Sequence, residues 1–107
     1  MVRVIAEVTF SPLGTGTPSL SRYVTAGLAV LKQHPEVTHQ LNAMGTVLEG
    51  EREAIIRVVE EMNEAIFAAG VLRVGMTLKI DERRDKETSI SHKIDSVRRG
   101  LAGGSGL

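Results

Sequence analysis

The side chains that could carry chemistry are few. Glu7 and Glu49 fall in separate alternating segments, and two carboxylates brought together can act as general acid and base. Neither has a histidine or a nucleophile beside it in sequence, so the same pair can equally serve as ion-pair partners for neighbouring lysine and arginine. Pro12-Leu13-Gly14-Thr15-Gly16-Thr17-Pro18-Ser19 follows one alternating segment and precedes a helical one, a setting in which free N–H groups and hydroxyls can hold an anion. It lacks the lysine of a phosphate-binding loop and the third glycine of a dinucleotide fingerprint, so it reads either as a tight capped connection or as a pocket wall. Arg83, Arg84 and Lys86, in the mixed-sign run Asp81–Lys86, could also hold an anion, or could pair internally. Gly14, Thr15, Thr17, Arg83 and Arg84 are thus the candidate anion-binding set. His34, His39 and His92 lack metal-ligand spacing, and no metal or cofactor is expected.

These residues need elements to position them. Val2, Val4, Ala6, Val8 and Phe10 alternate with Arg3, Ile5, Glu7, Thr9 and Ser11, the period of a strand with one face in a core. Thr17-Pro18 predicts a helix start, with Thr17 as N-cap, and Leu20, Tyr23, Val24, Gly27, Leu28 and Leu31 keep helical spacing up to His34-Pro35. Val37–Asn42 and Thr46–Glu49 predict a hairpin about Asn42-Ala43-Met44-Gly45. A second helix follows Gly50, with Ile55, Val58, Val59, Met62, Ala65, Ile66 and Ala69 as its stripe and Gly70 as its cap. Leu72, Val74, Met76, Leu78 and Ile80 then alternate with polar residues as a fourth strand. Thr88–Arg99 predicts a third helix carrying Ile90, Ile94 and Val97 on one side.

The order β-α-β-β-α-β plus a terminal helix predicts an α+β, ferredoxin-like fold. Its four-stranded antiparallel sheet has the first and third strands central and both main helices on one face. Residues 1–99 form the single domain and 100–107 a flexible glycine-rich tail. Ile5, Glu7, Thr9, Thr77 and Lys79, joined by Glu49, then occupy the open face. Such a half-polar face becomes an interface or a ligand floor, or stays solvated with a Glu7–Lys79 cross-strand pair.

Composition excludes several classes. Among 107 residues, 13 basic and 13 acidic side chains cancel, which gives no field for nucleic acid or anionic membrane. With no cysteine there is no disulfide and no thiolate chemistry. Phe10, Tyr23 and Phe67 are too few for a base-stacking platform. No apolar run approaches a membrane span, and Glu7 arrives too early for a signal peptide's apolar region, so a cytoplasmic protein is expected.

Three stretches, Glu7-Val8-Thr9-Phe10-Ser11-Pro12-Leu13-Gly14-Thr15, Met44-Gly45-Thr46-Val47-Leu48-Glu49-Gly50 and Lys79-Ile80-Asp81-Glu82-Arg83-Arg84-Asp85-Lys86, in this order and spacing resemble the small thiamine-binding-protein-like family. The likeness runs from about Val4 to Val97. It implies a ferredoxin-like fold, dimers that pair into tetramers, and non-enzymatic binding of thiamine or its hydroxymethylpyrimidine moiety. The resemblance does not fix which residues touch the ligand; chosen on physical grounds at and beside those motif positions, the ligand-binding set is Glu7, Thr9, Ser11, Asn42, Met44, Gly45, Thr46 and Glu49. Glu7 or Glu49 would attract the thiazolium charge, Asn42, Thr46 and a carboxylate would meet the aminopyrimidine edge, and Met44, Phe10 or a neighbouring subunit would cover the ring. The alternatives are a structural or regulatory homo-oligomer with no dedicated ligand, and an enzyme using the two carboxylates.

Overall fold

The structure, a computed structural model, describes residues 2–103. β1 (Arg3–Leu13) leads to α1 (Ser21–Ala29), a 3-10 turn (Val30–Gln33), β2 (Thr38–Asn42), β3 (Gly45–Glu51), α2 (Arg52–Ala68), β4 (Arg73–Glu82) and α3 (Ile90–Ala102). The strands lie in the order β2-β3-β1-β4, every neighbouring pair antiparallel. This is the ferredoxin-like plan that the alternating and helical segments predict, with β1 and β3 central. Among the described residues no helix is long and apolar enough to cross a membrane.

Register follows from the period of two. Val4, Ala6 and Val8 of β1 and Leu48 of β3 point towards the helices and pack with Ile55, Val58, Val59 and Met62 of α2. Tyr23 of α1, Ile66 of α2 and Val71 form a second cluster. The two helices meet closely at Gly27, where a Cβ would lie 3.1 Å from Ile66 Cδ1. α2 begins at Arg52, whose N–H donates to the carbonyl of Val2 at 2.8 Å and whose Nη1 donates to Glu82 at 2.7 Å. One residue therefore ties the start of that helix both to the residue before β1 and to β4.

Three expectations are corrected. α1 begins at Ser21, not at Thr17-Pro18, and its N-cap residue, Leu20, supplies no side-chain cap. The Thr17 hydroxyl instead accepts from the Ser19 N–H at 3.2 Å, while Thr15 donates to the Thr17 carbonyl at 2.7 Å. Such local hydroxyl bonds offer the backbone an alternative to helix. Second, the apolar alternation of β4 is not fully covered: Leu72 precedes the strand and is 97% exposed, and Met76 and Ile80 remain exposed on the helix-side face. β4 is an edge strand, and Val71 enters the core in place of Leu72. Third, α3 runs past Arg99 through Gly100 to Ala102, into the segment expected to be tail; positions 104–107 of that segment lie outside the described residues.

α3 stands off from the rest. Ser89 caps it, its Oγ accepting from the His92 N–H at 3.0 Å, yet none of its residues is buried. The envelope is correspondingly long, 49 × 33 × 20 Å, with a radius of gyration of 15.9 Å. A compact chain of this length would have about 13 Å.

Gly27→Val should cost about 1–3 kcal/mol by overpacking the α1–α2 contact. Urea denaturation checks this, and an unchanged midpoint would show that Ile66 yields freely.

Candidate functional site

On the open face, Ile5 pairs with Glu49, and Glu7 pairs with Val47 on one side and Lys79 on the other. Both carboxylates therefore share the expected face, but they do different things. Glu49 is 14% exposed, and its Oε1 accepts from the Ile90 N–H at 2.7 Å while Oε2 faces Arg3 Nη2 at 3.4 Å. It thereby satisfies one of the orphan donors at the start of α3 and fastens that helix to the sheet. Asp81 and Lys93 make a second tie beside it. Glu7 makes no hydrogen bond or ion pair among the described residues, so the anticipated Glu7–Lys79 pair is absent despite the matched register. Glu7 lines a shallow depression of about 250 Å³ together with Val47, Lys79, Asp81 and Lys93.

A more enclosed space opens at the β2–β3 turn. This cleft, about 150 Å³, has Val8, Phe10, Val24 and Leu41 as apolar walls, and Thr9, Asn42 and Thr46 as polar ones, with Met44 and Gly45 at the turn. Five of the eight ligand-binding candidates, Thr9, Asn42, Met44, Gly45 and Thr46, thus come together. Thr46 does so from the helix side of β3, in register with Val8 and Leu41, and not from the face that carries Glu7 and Glu49. It is 5% exposed, and its hydroxyl has no hydrogen-bond partner among the described residues. Asn42 is oriented by Gln40, whose Nε2 donates to its Oδ1 at 3.3 Å. Thr9 makes a long bond, 3.5 Å, to the Met44 carbonyl.

Gly45 joins the cleft to the open face. A Cβ there would lie 3.2 Å from Thr9 Oγ1 and 3.3 Å from Glu7 Cγ, so any other residue would make both side chains give way by a few tenths of an ångström. Glu7 is consequently the carboxylate next to the cleft. Glu49, two residues along β3 from Val47, is taken up by α3, and Ser11 is exposed opposite Gly75 on the β4 side. The walls Val8, Val24 and Leu41 were not among the candidates; the periodicity that marks them as apolar does not say which of them borders a void.

The anion-binding candidates do not converge. Because β1 and β4 run antiparallel from Val4↔Glu82 to Leu13↔Arg73, Gly14, Thr15 and Thr17 lie at one end of the sheet and Arg83 and Arg84 at the other. The nine intervening steps span about 30 Å. Arg83 binds Asp85 through Nε at 2.5 Å and Nη2 at 2.8 Å, which holds that carboxyl down at about 2, and Arg84 Nε donates to Glu82 at 2.6 Å.

The family model described as thiamine-binding protein matches residues 6–98. The chain belongs to that family. It is 40% identical over 100 residues to the UPF0045 protein YqgV of Bacillus subtilis, covering 91% of this chain and 96% of that one. It is 42% identical over 96 residues to a UPF0045 protein of Methanothermobacter thermautotrophicus, covering 89% and 96%. The crystal structure of a hypothetical protein of Methanocaldococcus jannaschii superposes with a TM-score of 0.84 at 41% identity, over 92% of this chain and 98% of that one.

Glu49→Ala should free the start of α3. Exchange of the first-turn amides should speed roughly 2- to 10-fold, the worth of one hydrogen bond. The urea midpoint should move little, because none of α3's own residues is buried. Unchanged exchange would mean that another contact holds the helix.

Proposed function

We propose that the protein binds thiamine or its hydroxymethylpyrimidine moiety at the β2–β3 cleft, without turning it over, as a cytoplasmic oligomer. The observation that carries this reading is the cleft of about 150 Å³ itself, where Thr46, whose hydroxyl makes no hydrogen bond among the described residues, meets Thr9 and Asn42. A wall hydroxyl that no protein group claims is available to donate to or accept from a bound heteroaromatic ring edge. An apolar cavity of about 150 Å³ admits benzene, so one six-membered ring is of the right size. Thr9 and Asn42 add a hydroxyl and an amide around such a ring, groups that orient a ligand by hydrogen bonds. Beyond Gly45, the unpaired Glu7 carboxylate would meet the thiazolium charge of thiamine. Membership of the thiamine-binding protein family agrees with this choice of ligand.

Self-association is supported by α3. Ile90, Ile94, Val97 and Leu101 line one side at spacings of four, three and four, and Val97 and Leu101 are 59% and 55% exposed. A narrow apolar seam of this kind suits a second helix or sheet. The same seam favours the second reading, a homo-oligomer with no dedicated ligand. Light scattering together with titration separates the two.

Calorimetric titration should give heat with both thiamine and hydroxymethylpyrimidine, and ligand at a hundred times its Kd should stabilise the fold by about 2.7 kcal/mol. Thr46→Val should weaken both ligands roughly 2- to 10-fold. Glu7→Gln should weaken thiamine while sparing the uncharged pyrimidine. Absence of heat and of thermal shift with both ligands would leave only the oligomer.

A further inference from the structure

His34 lies between the 3-10 turn and β2, and its ring is bracketed by carboxylates. Nδ1 is 2.8 Å from Oε1 of Glu36, and Nε2 meets Oε2 of Glu61, in α2 and 27 positions along the chain. The ring is 17% exposed. A neutral imidazole has one N–H, so it can donate to only one of two flanking carboxylates and turns a lone pair on the other. Both contacts are attractive together only in the imidazolium. The backbone here is equally specific: the His34 N–H donates to the Leu31 carbonyl and the Val37 N–H to the His34 carbonyl, each at 3.1 Å. Val37, next to β2, is a core residue.

We propose that His34, Glu36 and Glu61 form a proton-operated latch, which fastens the entry of β2 onto α2 while the imidazole holds both protons and slackens when one leaves. The charges bearing on the ring are Glu36 from its own connection and Glu61 from α2; Arg57, also on α2, acts on Glu36. Lys32, in the 3-10 turn, forms no ion pair among the described residues. The Glu36 hydrogen bond leads in raising the His34 pKa, Glu61 adds to it, and partial burial opposes both. A raised value in the folded state means that the latch contributes fully below the ordinary histidine value of about 6.5 and is lost as pH rises through the raised one. β2 runs from this point to the Asn42–Met44 turn that walls the cleft, but the latch acts on the fold whether or not a ligand is present.

The test follows the full-length chain by NMR, reading the His34 ring titration and the Val37 amide protection factor, which removes the intrinsic pH dependence of exchange. The wild-type ring should titrate above 6.5, and protection at Val37 should fall roughly 2- to 10-fold across the same midpoint. Glu61→Gln and Glu36→Gln should each lower that midpoint, and Glu61→Gln should remove the step in protection. A ring midpoint at or below the ordinary value, a flat protection profile in the wild type, or a step that survives in Glu61→Gln would overturn the latch. Because the wild-type profile alone can do so, the outcome does not hang on any variant folding.

Discussion

β1 is hydrogen-bonded on both sides, to β3 from Arg3 to Val8 and to β4 from Val4 to Leu13. A slip of one residue in this strand would send Ile5, Glu7 and Thr9 under the helices and bring Val4, Ala6 and Val8 out to the open face. Burying a charge at Glu7 without a partner is far costlier than burying valine. The double pairing of β1 therefore fixes at once which side chains form the core and which carboxylate stays available.

The cleft stands at the corner where the two sides of the sheet meet. Thr46 and Val8 reach it from the helix side, Thr9 and Gly45 from the other, and the turn at Ala43-Met44 closes the end. Gly45 keeps this corner close, because a side chain there would press on Glu7 and Thr9. Hydroxyls, an amide and a carboxylate are thus held by backbone pairing rather than by long flexible loops, which limits the ordering cost of binding.

The fold was legible because each element carries its own period. Val4-to-Phe10 alternation, the Ile55–Ile66 stripe and the glycine at 70 each point to one local structure, and together they allow few topologies. What stayed hidden depends on residues far apart in the chain. Glu49 reads as a ligand-facing acid until Ile90, 41 positions later, donates to it. His34 shows only a lack of metal-ligand spacing until Glu61 arrives from α2. Thr17 meets every local rule for an N-cap, yet its hydroxyl closes a short turn instead. The exposure of Met76 and Ile80 could not be read from β4 itself, since cover is supplied by other elements. The resemblance to the family gathered Thr9, Met44, Gly45 and Thr46, but which of them would lack a hydrogen-bond partner is a tertiary matter.

The fastenings of α3 differ in kind from those of the other helices. α1 and α2 are held by buried aliphatic contact, whereas the Lys93–Asp81 pair, both about half exposed, and the Glu49 carboxylate on the Ile90 N–H hold α3 largely by charge. At physiological ionic strength the screening length is about 8 Å, and it shortens to about 3 Å in molar salt, while apolar contact is unharmed by added salt. Concentrated electrolyte therefore loosens the C-terminal helix selectively and leaves the two-layer body intact. Ionic surroundings, and not temperature alone, set how much of the open face lies uncovered.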